Sequence, residues 1–150
     1  MAPLEINRLL EPLANPVAPL VAGLQIAVWG ISFKPRTDDI RESPSLTLIE
    51  QLLEAGAKVV AYDPVAMPNA RRALPGAVAY CESPYEAAAG ADAVALVTEW
   101  NEFKFLNLER LRGVMRRPAV FDGRNLWEPE RMRRLGFEYH SIGRKPVLPS

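Results

Sequence analysis

From Gln25 onward, short continuous apolar runs alternate with stretches whose apolar residues recur at three- and four-residue intervals. The runs read as buried strands, because a strand covered on both faces shows no polar alternation. They predict strands at Gln25–Trp29, Lys58–Tyr62, Ala77–Ala79, Ala93–Val97 and Ala119–Phe121, with a sixth inside Phe137–Ile142. The intervening period predicts helices. The first has Ser43 as its cap, Pro44 at its first position and an apolar face of Leu46, Ile49, Leu52 and Leu53, and Gly56 suits a left-handed stop. Others are predicted over Met67–Leu74, from Ser83 to near Gly90, around Leu108–Met115 and over Pro129–Arg134.

Strands alternating with helices imply an α/β fold: a doubly wound, mostly parallel, six-stranded Rossmann-like sheet with helices on both faces. The common strand order for such a sheet is 3-2-1-4-5-6. Residues 1–23 read differently. Ile6, Leu9 and Leu10 suit one short helical face, and Pro12, Pro16 and Pro19 then interrupt it, so a short helix and linker precede a domain spanning 24–150.

Composition narrows the function classes. At 150 residues one domain with a real core is expected. Lys plus Arg and Asp plus Glu are 18 each, so nothing in the overall charge favours nucleic acid or a membrane surface, and any anion site must be local. The single cysteine, Cys81, cannot form an internal disulfide, which favours a reducing compartment, with cytoplasm as the expectation. No signal-peptide pattern and no membrane-length apolar run is seen. One His and one Cys leave no zinc set.

In a doubly wound sheet ligands sit beyond the carboxyl ends of the strands, where the strand order reverses. The loops after Trp29, Val97 and Phe121 are therefore the ones that matter. The first, Gly30–Ser43, exceeds the usual connection of about 2–6 residues, carries Lys34, Arg36 and Arg41 against Asp38, Asp39 and Glu42, and runs into a helix start that suits phosphate. It holds no G-x-G-x-x-G and no Walker loop, so a generic dinucleotide site is poorly supported.

The same loop, GISFKPRTDDIRESP over Gly30–Pro44, resembles the motif that opens the C-terminal, UDP-binding domain of the UDP-glucose/GDP-mannose dehydrogenase family. AYDP at Ala61–Pro64, VTEW at Val97–Trp100 and FDGRN at Phe121–Asn125 resemble its later motifs in the same order, and GFEY at Gly136–Tyr139 and IGR at Ile142–Arg144 match its close. The TEW and DGR segments are similar to the UDP-glucose 6-dehydrogenase branch. Such enzymes oxidise the sugar C6 alcohol to a carboxylate in two NAD-dependent steps. Their NAD loop, their nucleophilic cysteine in a G-G-S-C-F-x-K-D segment and their long dimerising helix are absent from this sequence, and Cys81, in AYCES, does not match. The resemblance implies a domain that binds UDP-glucose or a related UDP-sugar, with no catalytic residue of its own and no NAD turnover alone. The implied partners are an NAD-binding half, as a split-gene product or the rest of a longer chain, and a second copy of the chain. The alternative is a non-catalytic nucleotide-binding or protein-interaction module that kept the fold.

The resemblance carries roles to four residues. Lys34 would meet the sugar or diphosphate as a point charge, with Phe33 approaching the substrate beside it; the plain alternative is a surface lysine next to a buried ring. Arg124 matches the arginine that binds the UDP-sugar, where a guanidinium can grip phosphate with two hydrogen bonds and Gly123 allows a sharp turn; the alternative is a surface pair with Asp122. Arg41 matches the arginine that reaches NAD across the cleft, or else it pairs with Asp38 or Asp39. Asp63 stands where a Rossmann domain often binds a ribose, but beside Pro64 it reads better as a turn former. Thr98 and Glu99 could line the uridine pocket, Trp100 reads as packing and His140 as structural.

Overall fold

Ser43 starts the first helix among the described residues, α1 (Pro44–Glu54), with its side chain accepting a hydrogen bond from Ser45 N and Pro44 at the first position. Gly56, at φ 89°, ends it in the left-handed region that a Cβ disfavours. The computed structural model of the chain describes residues 23–32, 38–41 and 43–149, so the helix and linker expected over 1–23 fall, Gly23 excepted, outside the described residues. Helices α2 (Met67–Ala73), α3 (Pro84–Ala88), α5 (Leu108–Val114) and α6 (Pro129–Arg134) lie where the period predicts them, within a residue or two at their ends. Ser83 caps α3 by accepting from Glu86 N at 3.0 Å, and Asn107 caps α5 by accepting from Arg110 N at 3.0 Å. A further helix, α4 (Asn101–Lys104), was not foreseen, because its four residues are too short to show a period.

Six strands, β1 (Gln25–Trp29), β2 (Lys58–Tyr62), β3 (Ala79–Tyr80), β4 (Ala93–Leu96), β5 (Ala119–Asp122) and β6 (Glu138–Ser141), form one parallel sheet in the order β3-β2-β1-β4-β5-β6, as expected. β3 starts two residues later than predicted and ends one later. Its register against β2, Val60 opposite Ala79 and Ala61 opposite Tyr80, picks out which residues of the edge pair, whereas its apolar run begins earlier.

Alternation in β1 separates two cores. Ile26 and Val28 face α1 and α2 with Leu48, Ile49, Leu52 and Ala70. Ala27 and Trp29 face the other layer with Phe103, Leu111, Met132 and Tyr139. Each fully buried Leu or Ile contributes about 1.5–3 kcal/mol, and a one-residue slip of β1 would turn every one of its side chains to the wrong layer. Trp29 stacks on Phe103 of α4 at 5.3 Å between ring centroids and donates its indole N–H to Pro84 O at 3.2 Å. Among the described residues no helix is long and apolar enough to cross a membrane.

On the outer strand β6, Glu138 accepts hydrogen bonds from Arg117 and His140, each at 2.7 Å, and the His140 ring stacks on Phe121 at 4.5 Å, which gives that histidine a structural place. Burial alone would raise the Glu138 carboxyl, but the bonds from His140 and Arg117 outweigh it and hold it below the usual range. A depressed carboxyl contributes stability above its unfolded value of about 4.3, and that contribution is lost as pH falls through the folded value. Glu138→Gln should therefore lower the urea midpoint at pH 6 by an amount worth about 1 kcal/mol and converge with the parent in acid. Parallel curves between pH 6 and 3 would show that the carboxylate contributes nothing.

Candidate functional site

The carboxyl ends of β1 and β4 meet at Gly30. Its φ is +92°, and a Cβ placed there would lie 2.5 Å from Thr98 Cβ and 2.6 Å from Thr98 N. From this contact the first loop leaves through three residues whose backbone groups are all bonded. Gly30 N donates to Tyr62 O at 2.8 Å, and Gly30 O accepts from Ser45 Oγ at 2.5 Å. Ile31 N donates to Asp63 Oδ2 at 2.8 Å, and Ile31 O accepts from Ser43 Oγ at 2.6 Å. Ser32 N donates to Asp63 Oδ2 at 3.1 Å, and Ser32 O accepts from Thr98 Oγ1 at 2.6 Å. Buried backbone groups need such partners, and here side chains just after β2, just after β4 and at the start of α1 supply most of them. The stem of the loop is thus held rigidly over the point where the strand order reverses.

Asp63 does more than form a turn. Fully buried, it accepts from Val65 N and Ala66 N on Oδ1 and, besides Ile31 N and Ser32 N, from Trp100 Nε1 at 3.2 Å on Oδ2. With five N–H donors on two oxygens it has no acceptor left for a ribose, so with no glycine-rich turn either, this switch point does not fit a dinucleotide such as NAD. Thr98 is likewise buried and committed to Ser32, so it supports the loop instead of lining a pocket, and Glu99 is exposed. Tyr62 ties β2 to α4 by donating to Glu102 Oε1 at 2.5 Å. Burial first, then the Glu102 bond and charge, push the Tyr62 phenol far above its ordinary value, so it remains a donor.

The second wall is the turn after β5. Asp122, fully buried, accepts from Arg124 N at 2.8 Å on Oδ1 and from Leu126 N at 2.7 Å on Oδ2. The Asp122–Arg124 relation is thus a side chain holding a backbone, and the surface ion pair kept open above is not what joins them. The left-handed residue of the turn is Asn125, at φ 54°, and not Gly123. The Asn125 amide replaces a stretch of strand pairing, donating to Ile142 O at 2.9 Å and accepting from Ile142 N at 2.8 Å. Arg124 is half-buried, and its Nε donates to Val97 O at 2.8 Å, which brings the guanidinium to the carboxyl ends of β4 and β5.

Of the other expected residues, Phe33 and Lys34 lie outside the described residues. Arg41 forks onto Asp39, Nε at 3.0 Å from Oδ1 and Nη2 at 2.8 Å from Oδ2, with its side chain 86% exposed. Asp38 is tied to α2 through its carbonyl, which accepts from Asn69 Nδ2 at 2.9 Å. Cys81 is half-buried, and burial, then the Glu86 charge, push its thiol up, away from the thiolate a nucleophile needs. A shallow depression of about 470 Å3, lined by Glu50, Leu53, Glu54, Ala73, Leu74 and Pro75, sits between the C-terminal ends of α1 and α2 at the amino edge of the sheet, away from this site. Sequence reasoning missed Ser45 as a carbonyl donor and Tyr139 and Arg144 as supports of the Asp122 turn, because no local pattern marks a residue whose partner is far along the chain.

Fold and site together define a Rossmann-like α/β domain that presents a long loop with a pinned Gly30–Ser32 stem and an arginine-bearing turn at its switch point, in place of a dinucleotide turn. Residues 27–129 match the UDP binding domain of the UDP-glucose/GDP-mannose dehydrogenase family, and the chain belongs to that family, as its motifs led us to expect. It is 50% identical over 127 residues to a UDP-glucose 6-dehydrogenase of Pseudomonas aeruginosa, covering 81% of this chain and 28% of that protein. It is 46% identical over 124 residues to one of Rhizobium meliloti, covering 83% and 28%. Among solved structures, the UDP-glucose dehydrogenase of Pyrobaculum islandicum superposes with a TM-score of 0.66 at 34% identity, over 81% of this chain and 26% of that one. An NDP-N-acetyl-D-galactosaminuronic acid dehydrogenase of Methanosarcina mazei superposes with a TM-score of 0.76 at 29% identity, over 95% and 29%. The chain thus spans about 28% of the length of the first curated relatives it matches.

Proposed function

We propose that this chain is the UDP-sugar-binding part of an NAD-dependent UDP-glucose 6-dehydrogenase, that Lys34 and Arg124 hold the diphosphate, and that Phe33 packs beside the sugar. The observation that supports this best is the placement of Arg124 by Asp122 and Val97 O beside the pinned Gly30–Ser32 stem, at the one edge of the sheet where ligands of this fold bind. A guanidinium is planar and can grip phosphate with two parallel hydrogen bonds. In the complete enzyme NAD supplies the hydride acceptor for the C6 oxidation. Because this switch point does not fit a dinucleotide, NAD and the reacting thiol belong to another unit, from a longer chain or a partner chain, and Arg41 is the residue we assign to the face toward that unit. The chain by itself turns over no NAD, and we place it in the reducing cytoplasm, which its single cysteine favours. A second copy of the chain remains part of this proposal as a partner for the assembled enzyme.

Calorimetric titration tests the reading. UDP and UDP-glucose should bind, GDP-mannose more weakly, and NAD not at all. Arg124→Ala should weaken UDP about ten- to a hundredfold, the worth of a charge-assisted pair of hydrogen bonds, while lowering stability by no more than about 1 kcal/mol. Absence of UDP binding at millimolar concentration, or equal binding by the Ala variant, would sink the proposal.

A further inference from the structure

Behind the Asp122–Asn125 turn lies a second guanidinium, that of Arg144. Arg144 is half-buried. Its Nε donates to Ser141 Oγ at 2.9 Å, and its Nη2 donates to both Trp127 O and Tyr139 Oη at 3.0 Å. Tyr139 is fully buried, and its one hydroxyl proton faces two acceptors, Asp122 Oδ2 at 2.6 Å and Trp127 O at 2.9 Å. A phenol can donate only once. Arg144 resolves the competition. It satisfies the Trp127 carbonyl itself, and by donating to Oη it orients the hydroxyl so that its proton goes to Asp122. Asp122 in turn carries the backbone of the turn, through Arg124 N, Leu126 N and Trp127 N. Among the described residues Arg144 is also the cation bonded to the phenol that touches this buried carboxylate, and a buried carboxylate without compensation is expensive.

We propose that Arg144 is a positioning residue for Arg124: through Tyr139 it sets the Asp122 carboxylate, and through Asp122 the stretch of backbone from which Arg124 reaches the nucleotide. The proposal rests on the reading that Arg124 binds the diphosphate. It implies that the family-like IGR ending of the domain serves the site at a distance, with no ligand contact of its own.

The test uses the full chain, titrated with UDP by calorimetry, together with the NMR signal of the Arg124 Nε–H group, assigned by its disappearance in Arg124→Ala. Arg144→Met should weaken UDP about tenfold or more and shift and broaden the Arg124 signal, because the Nε–H···O bond to Val97 loosens. Arg144→Lys, which keeps the charge and three donors but not the planar fork, should regain part of the affinity and move the signal back toward the parent. If Arg144→Met does not fold, Tyr139→Phe, which removes one hydroxyl, should move the same signal in the same direction. An Arg124 signal unmoved in the variants, or affinity lost in Arg144→Met without any change at Arg124, overturns the proposal. Should the parent chain fail to bind UDP, the functional reading falls, while the Arg124 signal still decides whether Arg144 positions it.

Discussion

Asp63→Ala should remove about 3–5 kcal/mol of stability, a large part of the roughly 5–15 kcal/mol expected of a domain. The change strips one buried carboxylate from five donors on three segments: Ile31 N and Ser32 N in the first loop, Val65 N and Ala66 N after β2, and the Trp100 indole before α4. Each buried donor left without a partner costs about 1–3 kcal/mol, and the total falls below the plain sum because water can enter the space. Asp63→Asn should do almost as badly, since the amide would turn an –NH2 group toward N–H donors. The urea midpoint is the measurement, with m unchanged if only stability is affected. UDP affinity should fall with it, because the stem that carries the loop toward Lys34 loses both bonds that hold Ile31 N and Ser32 N. A loss under 1 kcal/mol would mean that the five bonds are replaceable by water and that the stem is not held as described.

Gly30→Ala should cost about 3 kcal/mol or more, for two separate reasons. A φ of +92° is one that L residues rarely adopt, which alone costs about 1–2 kcal/mol. The new Cβ would also meet Thr98 N at 2.6 Å, and that obstacle is backbone, so no rotamer change relieves it. Relief requires the end of β1 to part from the end of β4, where Val97 N donates to Trp29 O at 2.9 Å. Since this is the switch point, the variant that survives should also bind UDP poorly. Gly113→Ala is the matched control. Gly113 lies in α5, with nothing within 4 Å of its would-be Cβ and no left-handed φ, so the same chemical change there should stabilise by about 0.5–1 kcal/mol. Equal effects at the two positions would refute the steric argument.

Much of the architecture could be read before any coordinates. The apolar runs located five of six strands nearly to the residue, and Ser43, Ser83 and the paired prolines marked helix starts, because capping and periodicity involve residues within about one turn of each other. The short edge strand β3 came out displaced, since its ends depend on which residues of β2 it meets. The Arg124 turn was legible through its DGR motif, yet the manner in which it is held was not. Asp122, which the sequence offered only as an alternative partner for the Arg124 side chain, holds the Arg124 backbone instead.

By itself, the sequence determined the fold class, the family and, once the common strand order of this layout is assumed, the edge of the sheet where a ligand goes. These follow from short-range patterns and from steric rules shared by every chain of this layout. Only the tertiary structure decided what the buried polar groups do. Asp63 closes on Ile31 across 32 positions of sequence, Thr98 on Ser32 across 66, and Tyr139 on Asp122 across 17. A carboxylate, a hydroxyl or a phenol carries no mark of its partner in its own neighbourhood. The sheet order brings such groups together, and the cost of leaving any of them unbonded in the dry interior then determines their roles.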